Sequence, residues 1–359
     1  VGPDAAALVR PVLAYDPPEA GLSLMRGLCA LALFVVVAHA ARRRAPRRVA
    51  YQLLTVTGAA IFLVALGHAT FHIGPVWGRF GGGGALFHAP LVNSNQLGKV
   101  FAFFALLALG RALSIRRGPE TAVHGVVGAL CAAGVILTDS RGALLALVAG
   151  GVALVVLLLV RRTEDVLPHS STILGVLGVA AVVLAVALST VGASDVAQLA
   201  AFDPEGLSKS KVTIWPSAWE LVRDHPGIGI GPGAFGAVFP SSLEIGELRG
   251  SQFVYTNVEN VVLQLLVDRG LPLGLALLSF VGWARWRVLR SGAAMAAPAA
   301  SAAVAALLVG ELFDFVTDLP IGLLLLAVGV ALIAARSHER LPGLVLAPPG
   351  PARGRGRAR

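Results

Sequence analysis

The sequence predicts an all-α, polytopic membrane protein, and three observations carry that prediction. The chain is 56% hydrophobic and 14% charged, with a mean hydropathy of +0.78, whereas an ordinary soluble domain is roughly 25% charged. Apolar runs recur at close to the ~20 residues that a helix needs to cross a ~30 Å hydrocarbon core. One long polar segment interrupts them. Because a backbone in lipid must satisfy its own hydrogen bonds, runs of this length predict helices.

About nine such runs predict nine transmembrane helices. They lie at about 22–40, 49–67, 94–113, 122–137, 142–160, 172–191, 259–281, 293–313 and 319–335.

The runs divide the chain into four parts. Residues 1–191 carry helices one to six, 192–258 form a long external loop with short helices, 259–335 carry helices seven to nine, and 336–359 form a basic tail. Because the chain begins at Val1 and a polar, proline-containing segment precedes the first run, we expect that further spans lie upstream.

Arginine placement explains the net charge of +9. The arginines cluster at 41–48, 111–117, 161–162, 285–290 and 336–359. If the chain starts outside and crosses nine times, every cluster falls on the cytoplasmic side, as the positive-inside rule requires. The basic residues therefore indicate membrane topology, and we expect no nucleic-acid partner.

The third run opens with a costly set of polar residues that includes Asn93, Asn95, Gln96 and Lys99. Each amide or ammonium needs a partner once water is excluded. One interpretation is a capped helix start with Lys99 extended to the membrane surface. The other is that these four residues line a cavity at the outer face.

The tight connection between runs four and five places Arg141 at the outer face, where topology does not explain an arginine. A guanidinium can bind two phosphate oxygens at once, so Arg141 is a candidate anion ligand. A local ion pair with Asp139 is the alternative.

The external loop has four cations, Lys209, Lys211, Arg223 and Arg249, which its acids outnumber, so any phosphate contact there must be specific. Residues 211–226 predict an amphipathic helix with Trp215 and Trp219 at headgroup level, followed by His225 and a proline. Glycines at 231, 233 and 236 match a dinucleotide pattern but lack the preceding strand, which argues against that function.

The seventh run carries a polar stripe, Asn257, Asn260, Gln264 and Asp268, which should face a wet cavity or other helices. Glu259 beside it could act as a general base, or it is simply an acid favoured near a helix N-terminus. Glu311 and two aspartates near the last turn either add acids to the same cavity or hydrate a short loop.

The chain resembles the O-antigen ligase-like family of membrane glycosyltransferases over about residues 85 to 335. The likeness rests on LVNSNQLG, TDSRGALLAL, KVTIWPSAWELVRDHPGIGIGPGAFG and ENVVLQLLVDRGLPLGL. It implies a multi-pass protein of the bacterial inner membrane whose loop is periplasmic. There a glycan on a polyprenyl diphosphate would be transferred to a hydroxyl of another glycan, lipid A core or protein, without metal, nucleotide sugar or other cofactor.

The resemblance also suggests roles for individual residues. Arg141 matches the arginine of a Ser-Arg-Gly block, and Lys211 stands where an arginine is usual, four residues before the tryptophan matched by Trp215. Asn260 matches the asparagine of a His-Asn pair whose histidine is replaced here by Glu259. We therefore predict that Arg141 and Lys211 stabilise the diphosphate and that Glu259 takes the acceptor proton. The residues predicted to bind substrate are Asn93, Asn95, Lys99, Arg223, His225, Arg249, Asn260 and Gln264.

Two other classes of function compete with this one. A transporter or flippase of lipid-linked glycan would involve no bond chemistry and often shows repeated halves, which are not evident here. A membrane scaffold would use the loop tryptophans to bind a partner.

Overall fold

The computed structural model describes residues 17–71, 73, 87–91, 93–114, 118–161, 208–239, 257–290, 292–313 and 316–336, and every regular element within them is helical. The elements are α1 (Pro17–Ala40), α2 (Arg44–Thr70), α3 (Ser94–Ser114), α4 (Pro119–Leu137), α5 (Arg141–Arg161), α6 (Ser208–Asp224), α7 (Phe235–Val238), α8 (Val261–Arg290), α9 (Ala293–Ala296), α10 (Pro298–Gly310), a 3₁₀ turn (Val316–Asp318) and α11 (Pro320–Ala334). The predicted all-α class is confirmed for this part of the chain.

The prediction of nine spans is not confirmed. Six described helices, α1 to α5 and α8, are long and apolar enough to cross a membrane, while α10 and α11 are apolar but shorter. The run predicted at 293–313 is divided because Ala297 leaves helical geometry (φ −131°, ψ 58°) directly before Pro298, as residues before proline tend to do. The run at 172–191 lies outside the described residues.

Helix α3 is the centre of the bundle. Every residue from Gln96 to Ala108 is buried, and α2, α4, α5 and α10 all pack against it. A helix that is apolar on every side is expected to be surrounded in this way. The position of α3 therefore decides where the ends of its neighbours lie.

Small residues allow the neighbouring helices to approach α3 closely. A Cβ atom added to Gly134 of α4 would lie 2.8 Å from Cδ2 of Phe101, and one added to Gly110 of α3 would lie 2.7 Å from Cα of Ala299. Helices in membranes associate largely through such close backbone packing. The outer helices instead expose large apolar side chains, such as Leu24, Val56 and Phe280, as a lipid-facing surface would.

One end of the bundle carries the arginines. The guanidinium of Arg111, near the end of α3, lies 5.1 Å from the ring centroid of Tyr51 in α2. Arg48 of α2 pairs with Glu120 at the start of α4. The start of α2, the end of α3 and the start of α4 therefore meet at this end, and Arg48 and Arg111 lie there together.

We predict that Gly150→Ala destabilises the bundle and that the neighbouring change Gly151→Ala does not. A Cβ at Gly150 would overlap Leu106 of α3 and lie 2.9 Å from the Ala302 carbonyl oxygen of α10, whereas one at Gly151 meets nothing within 4 Å. Overpacking costs about 1–3 kcal/mol, while alanine in an open helical position gains up to about 1 kcal/mol over glycine. Thermal unfolding of the two variants in detergent compares them, and equal melting temperatures would contradict the packing described.

Candidate active site

Four helix ends meet at the end of the bundle opposite the arginines. The start of α3 touches the turn between α4 and α5, because a Cβ at Gly98 would lie 2.6 Å from Thr138 Oγ1 and 2.7 Å from Ala143 Cβ. The start of α5 in turn touches the segment after α10, where a Cβ at Gly142 would lie 3.4 Å from Phe313 Cβ. Residues that are far apart in sequence are thus brought to one place.

The fourth helix end, the start of α8, is tied to the end of α10 by two hydrogen bonds. The Val261 amide donates to the Glu311 carbonyl oxygen at 3.0 Å, and Asn260 Nδ2 donates to the Leu312 carbonyl oxygen at 3.1 Å. Asn260 Oδ1 also accepts from the Leu263 amide at 3.0 Å, which satisfies a donor that a helix N-terminus leaves unpaired. Asn260, predicted to bind substrate, thus joins two helix ends.

Glu259, the predicted general base, precedes this joint and is half-buried. Its backbone has φ 57°, the left-handed region that residues other than glycine rarely adopt. Such a conformation costs of order 1–3 kcal/mol and persists where the surroundings enforce it, often at functional sites.

Arg141 begins α5, one residue from the Gly142 contact with Phe313, and its side chain is half-buried. Since Phe313 follows Leu312, which Asn260 binds, the backbones that carry Arg141 and Glu259 belong to the same group of helix ends. Arg141 and the exposed Asp139 form no ion pair within the described part of the chain. The alternative of a local pair is therefore not what the structure shows.

The three predicted substrate-binding residues at the start of α3 lie in different surroundings. Asn93 Oδ1 accepts from the Asn95 amide at 2.9 Å, so Asn93 caps the helix as one interpretation expected, and Asn95 is exposed. Lys99 is only 1% exposed, and its Cδ lies 3.0 Å from a Cβ built at Gly310. Its side chain packs against α10, which contradicts the interpretation that Lys99 extends to the membrane surface.

In the polar stripe of α8, Gln264 forms hydrogen bonds with other groups of the protein. Gln264, 5% exposed, accepts from the Val258 amide through Oε1 at 2.7 Å and donates through Nε2 to Asp268 Oδ1 at 2.8 Å. The helix is then interrupted at Gly270 (φ 70°, ψ 175°), two residues before Pro272. The uninterrupted span predicted over 259–281 is therefore two helical segments.

Helix α6 packs along the first of these segments. Its buried face, Ile214, Ala218, Leu221 and Val222, forms an apolar cluster with α8 residues such as Leu266 and Val267, which confirms that it is amphipathic. The chain after α6 continues the contact, with Ile230 N donating to Val267 O at 2.9 Å and Leu271 N to Pro226 O at 2.8 Å. The chain between α6 and α7 is thus bound to the break in α8.

The two tryptophans of α6 lie in different surroundings. Trp215 is half-buried and donates from Nε1 to the Val258 carbonyl oxygen at 3.1 Å, whereas Trp219 is 41% exposed. Only Trp219 suits the predicted headgroup position, because the ring of Trp215 is bound to the segment before α8.

The orientation of α6 along α8 determines how far each predicted loop cation lies from Glu259. Trp215 lies beside Val258, and Pro226, just beyond α6, lies beside Leu271, so the two helices run side by side. Lys211, one turn before Trp215, is therefore in the part of α6 nearest Glu259. Arg223 is exposed and lies about 12 Å beyond Trp215 along α6 at 1.5 Å per residue, and His225, just after the end of α6, is half-buried. Arg249 and the side chain of Lys211 lie outside the description.

Residues 126–278 match the O-antigen ligase family model. The resemblance seen in the sequence is confirmed over this segment, which is narrower than the 85 to 335 range of the likeness. The matched segment runs from α4 into α8 and contains Arg141, α6 and Glu259. Lys99 and the end of α10 lie outside it. A search of curated proteins found no match to the chain.

Two hydrogen-bonding roles near the family segment were not predicted from the sequence. Glu311, which the sequence offered as a cavity or loop acid, is 1% exposed and accepts from the Thr317 amide at 3.1 Å and from Thr317 Oγ1 at 2.5 Å. An acid at the end of an apolar run was the available signal. The Trp215 hydrogen bond left no signal, because its acceptor is a backbone carbonyl 43 residues away.

We predict that Gly270→Ala loosens the segment between α6 and α7 from α8, while Gly227→Ala leaves it in place. Gly270 has φ 70°, and a Cβ there would lie 2.6 Å from the Gly227 carbonyl oxygen, whereas a Cβ at Gly227 meets nothing within 4 Å. Faster proteolysis between α6 and α8 in Gly270→Ala alone, in detergent-solubilised protein, is the expected result. Equal cleavage of both variants would contradict it.

Proposed function

We propose that this chain transfers a glycan from a polyprenyl diphosphate to an acceptor hydroxyl, as an O-antigen ligase or a polysaccharide polymerase. The family match indicates glycosyl transfer in polysaccharide assembly. The observation that carries the proposal is that Arg141 and Glu259, more than a hundred residues apart, stand beside helix ends that both contact the segment after α10. A cation and a carboxylate at one membrane-level site are what this transfer requires.

Arg141 suits the departing diphosphate. Negative charge grows on the phosphate oxygens as the sugar leaves, and fixed cations in a partly dry site stabilise it most where it grows. The guanidinium presents donors that match phosphate oxygens in pairs, and the positive end of the α5 dipole adds to its field. Lys211, in the nearest part of α6, is the second cation that we assign to the diphosphate.

Glu259 suits the acceptor. The acceptor oxygen attacks the anomeric carbon and forms the new glycosidic bond, while the bond from that carbon to the diphosphate oxygen breaks and leaves its electron pair on the diphosphate. The hydroxyl proton passes to the Glu259 carboxylate and later to water. General bases of this kind contribute about 10²–10⁴-fold to rate.

The arginine-rich end supports an outward-facing site. Arg48 and Arg111 lie at the opposite end of the bundle from Arg141 and Glu259, and by the positive-inside rule this favours a site on the non-cytoplasmic side. In a bacterial inner membrane this side is the periplasm. The lipid tail of the donor would remain in the bilayer beside the exposed apolar helices.

A transporter is less well supported. Broken helices in transporters expose backbone groups to substrate near the midplane. The break at Gly270 is instead paired with the external segment, through Leu271 N to Pro226 O and Gly231 N to Asp268 O at 3.1 Å.

We predict that cells relying on Arg141→Ala or Glu259→Gln lose about 10²-fold or more of the transfer activity. Arg141→Lys should retain part of it, because it keeps the charge and loses the paired donors. The measurement is the length and attachment of surface polysaccharide, by gel, in a deletion strain carrying each variant. Arg287→Ala, at the exposed end of α8, and Glu220→Gln, exposed on α6, are the matched controls.

The same gel separates the kinds of transfer. Loss of long chains with single repeats remaining indicates a polymerase, and long chains that accumulate on the lipid carrier indicate a ligase. Transfer that persists at wild-type levels in both site variants, at normal protein levels, would refute the proposal.

A further inference from the structure

Both backbone polar groups of Val258 are held by side chains from two different helices. Its amide donates to Gln264 Oε1 of α8 at 2.7 Å, and its carbonyl oxygen accepts from Trp215 Nε1 of α6 at 3.1 Å. The Val258 side chain is itself fully buried in the apolar cluster between these helices. Residue 258 therefore has little freedom to rotate.

The residues after Glu259 are held as firmly as the one before it. Asn260 and Val261 bind the carbonyl oxygens of Leu312 and Glu311. Glu259 thus lies between two anchored positions, with its backbone at φ 57°. Because that conformation is costly by itself, the flanking hydrogen bonds help to maintain it, and they constrain the direction in which the carboxylate leaves the backbone.

We infer that Trp215 is a positioning residue for Glu259: its indole N–H holds the Val258 carbonyl and so orients the peptide that carries the catalytic carboxylate. This inference rests on the proposed role of Glu259 as the base. Trp215 is the one of these anchors that comes from α6, since Gln264 and Asn260 flank the start of α8 itself. The seating of α6 on α8 is thereby coupled to the geometry of the base, and misplacement of a reacting group by about 1 Å can cost 10²-fold in rate.

The experiment compares Trp215→Phe with Trp219→Phe. The first change keeps an aromatic ring beside the apolar cluster and removes the donor to Val258. The second makes the same chemical change one turn later on the same helix, at a ring that is 41% exposed. Initial rates are measured in membranes of the deletion strain carrying each variant. The donor is the lipid-linked glycan extracted from that strain, and rates are corrected for protein amount.

We expect Trp215→Phe to lower kcat about tenfold with KM for the lipid-linked glycan unchanged, because Trp215 acts on the base and not on donor binding. Trp219→Phe should match the wild type. A normal kcat in Trp215→Phe, a change confined to KM, or an equal loss in Trp219→Phe would each overturn the inference.

A combined variant separates positioning from general loosening. If Trp215 acts through Glu259, then adding Trp215→Phe to Glu259→Gln lowers the residual rate by less than about twofold, since interacting residues are non-additive. A tenfold loss in both backgrounds would show a structural role only and overturn the inference. A wild-type rate for Glu259→Gln alone is a different result, which refutes the proposed function itself.

Discussion

Close packing of small residues against α3 is the constraint on which the rest of the structure depends. In lipid, apolar side chains gain little by leaving the bilayer for another helix, so association depends on direct contact between backbones. Gly98, Gly110 and Gly134 provide that contact along the length of α3. The contacts of Gly98 with the α4–α5 turn, and of Lys99 with Gly310, also decide which helix ends meet. The candidate site follows from this register.

Hydrogen bonds hold together the helix ends that the packing of the bundle brings close. Asn260 and Val261 join the start of α8 to the end of α10, and Trp215 adds a bond from outside the bundle. These groups would otherwise be unpaired backbone donors and acceptors in partly buried surroundings, which is unfavourable. Satisfying them also holds Glu259 in a conformation that it would not adopt alone, so the same bonds serve stability and the proposed chemistry.

The charges of the molecule are divided between its two ends. Arginines such as Arg48 and Arg111 gather at one end, where topology accounts for them. Arg141 stands with Glu259 at the other, where topology does not. A substrate with a lipid tail and a diphosphate head suits such an arrangement, because the tail stays in the bilayer while the charge reaches a cation at the membrane surface.

Composition, periodicity and motifs are local properties, and they were enough to predict most of the helical segments, the amphipathic face of α6, the clusters of arginines, and Arg141 and Glu259 as candidates. The break of α8 at Gly270, the packing of Lys99 against Gly310 and the binding of Trp215 while Trp219 is exposed became visible in the folded chain. The hydrogen bond from Trp215 to Val258 likewise sets which part of α6 lies beside the residue before Glu259. Each of these features depends on which segment, distant in sequence, packs against the residue. The residues adjacent in sequence carry no pattern that identifies such a partner.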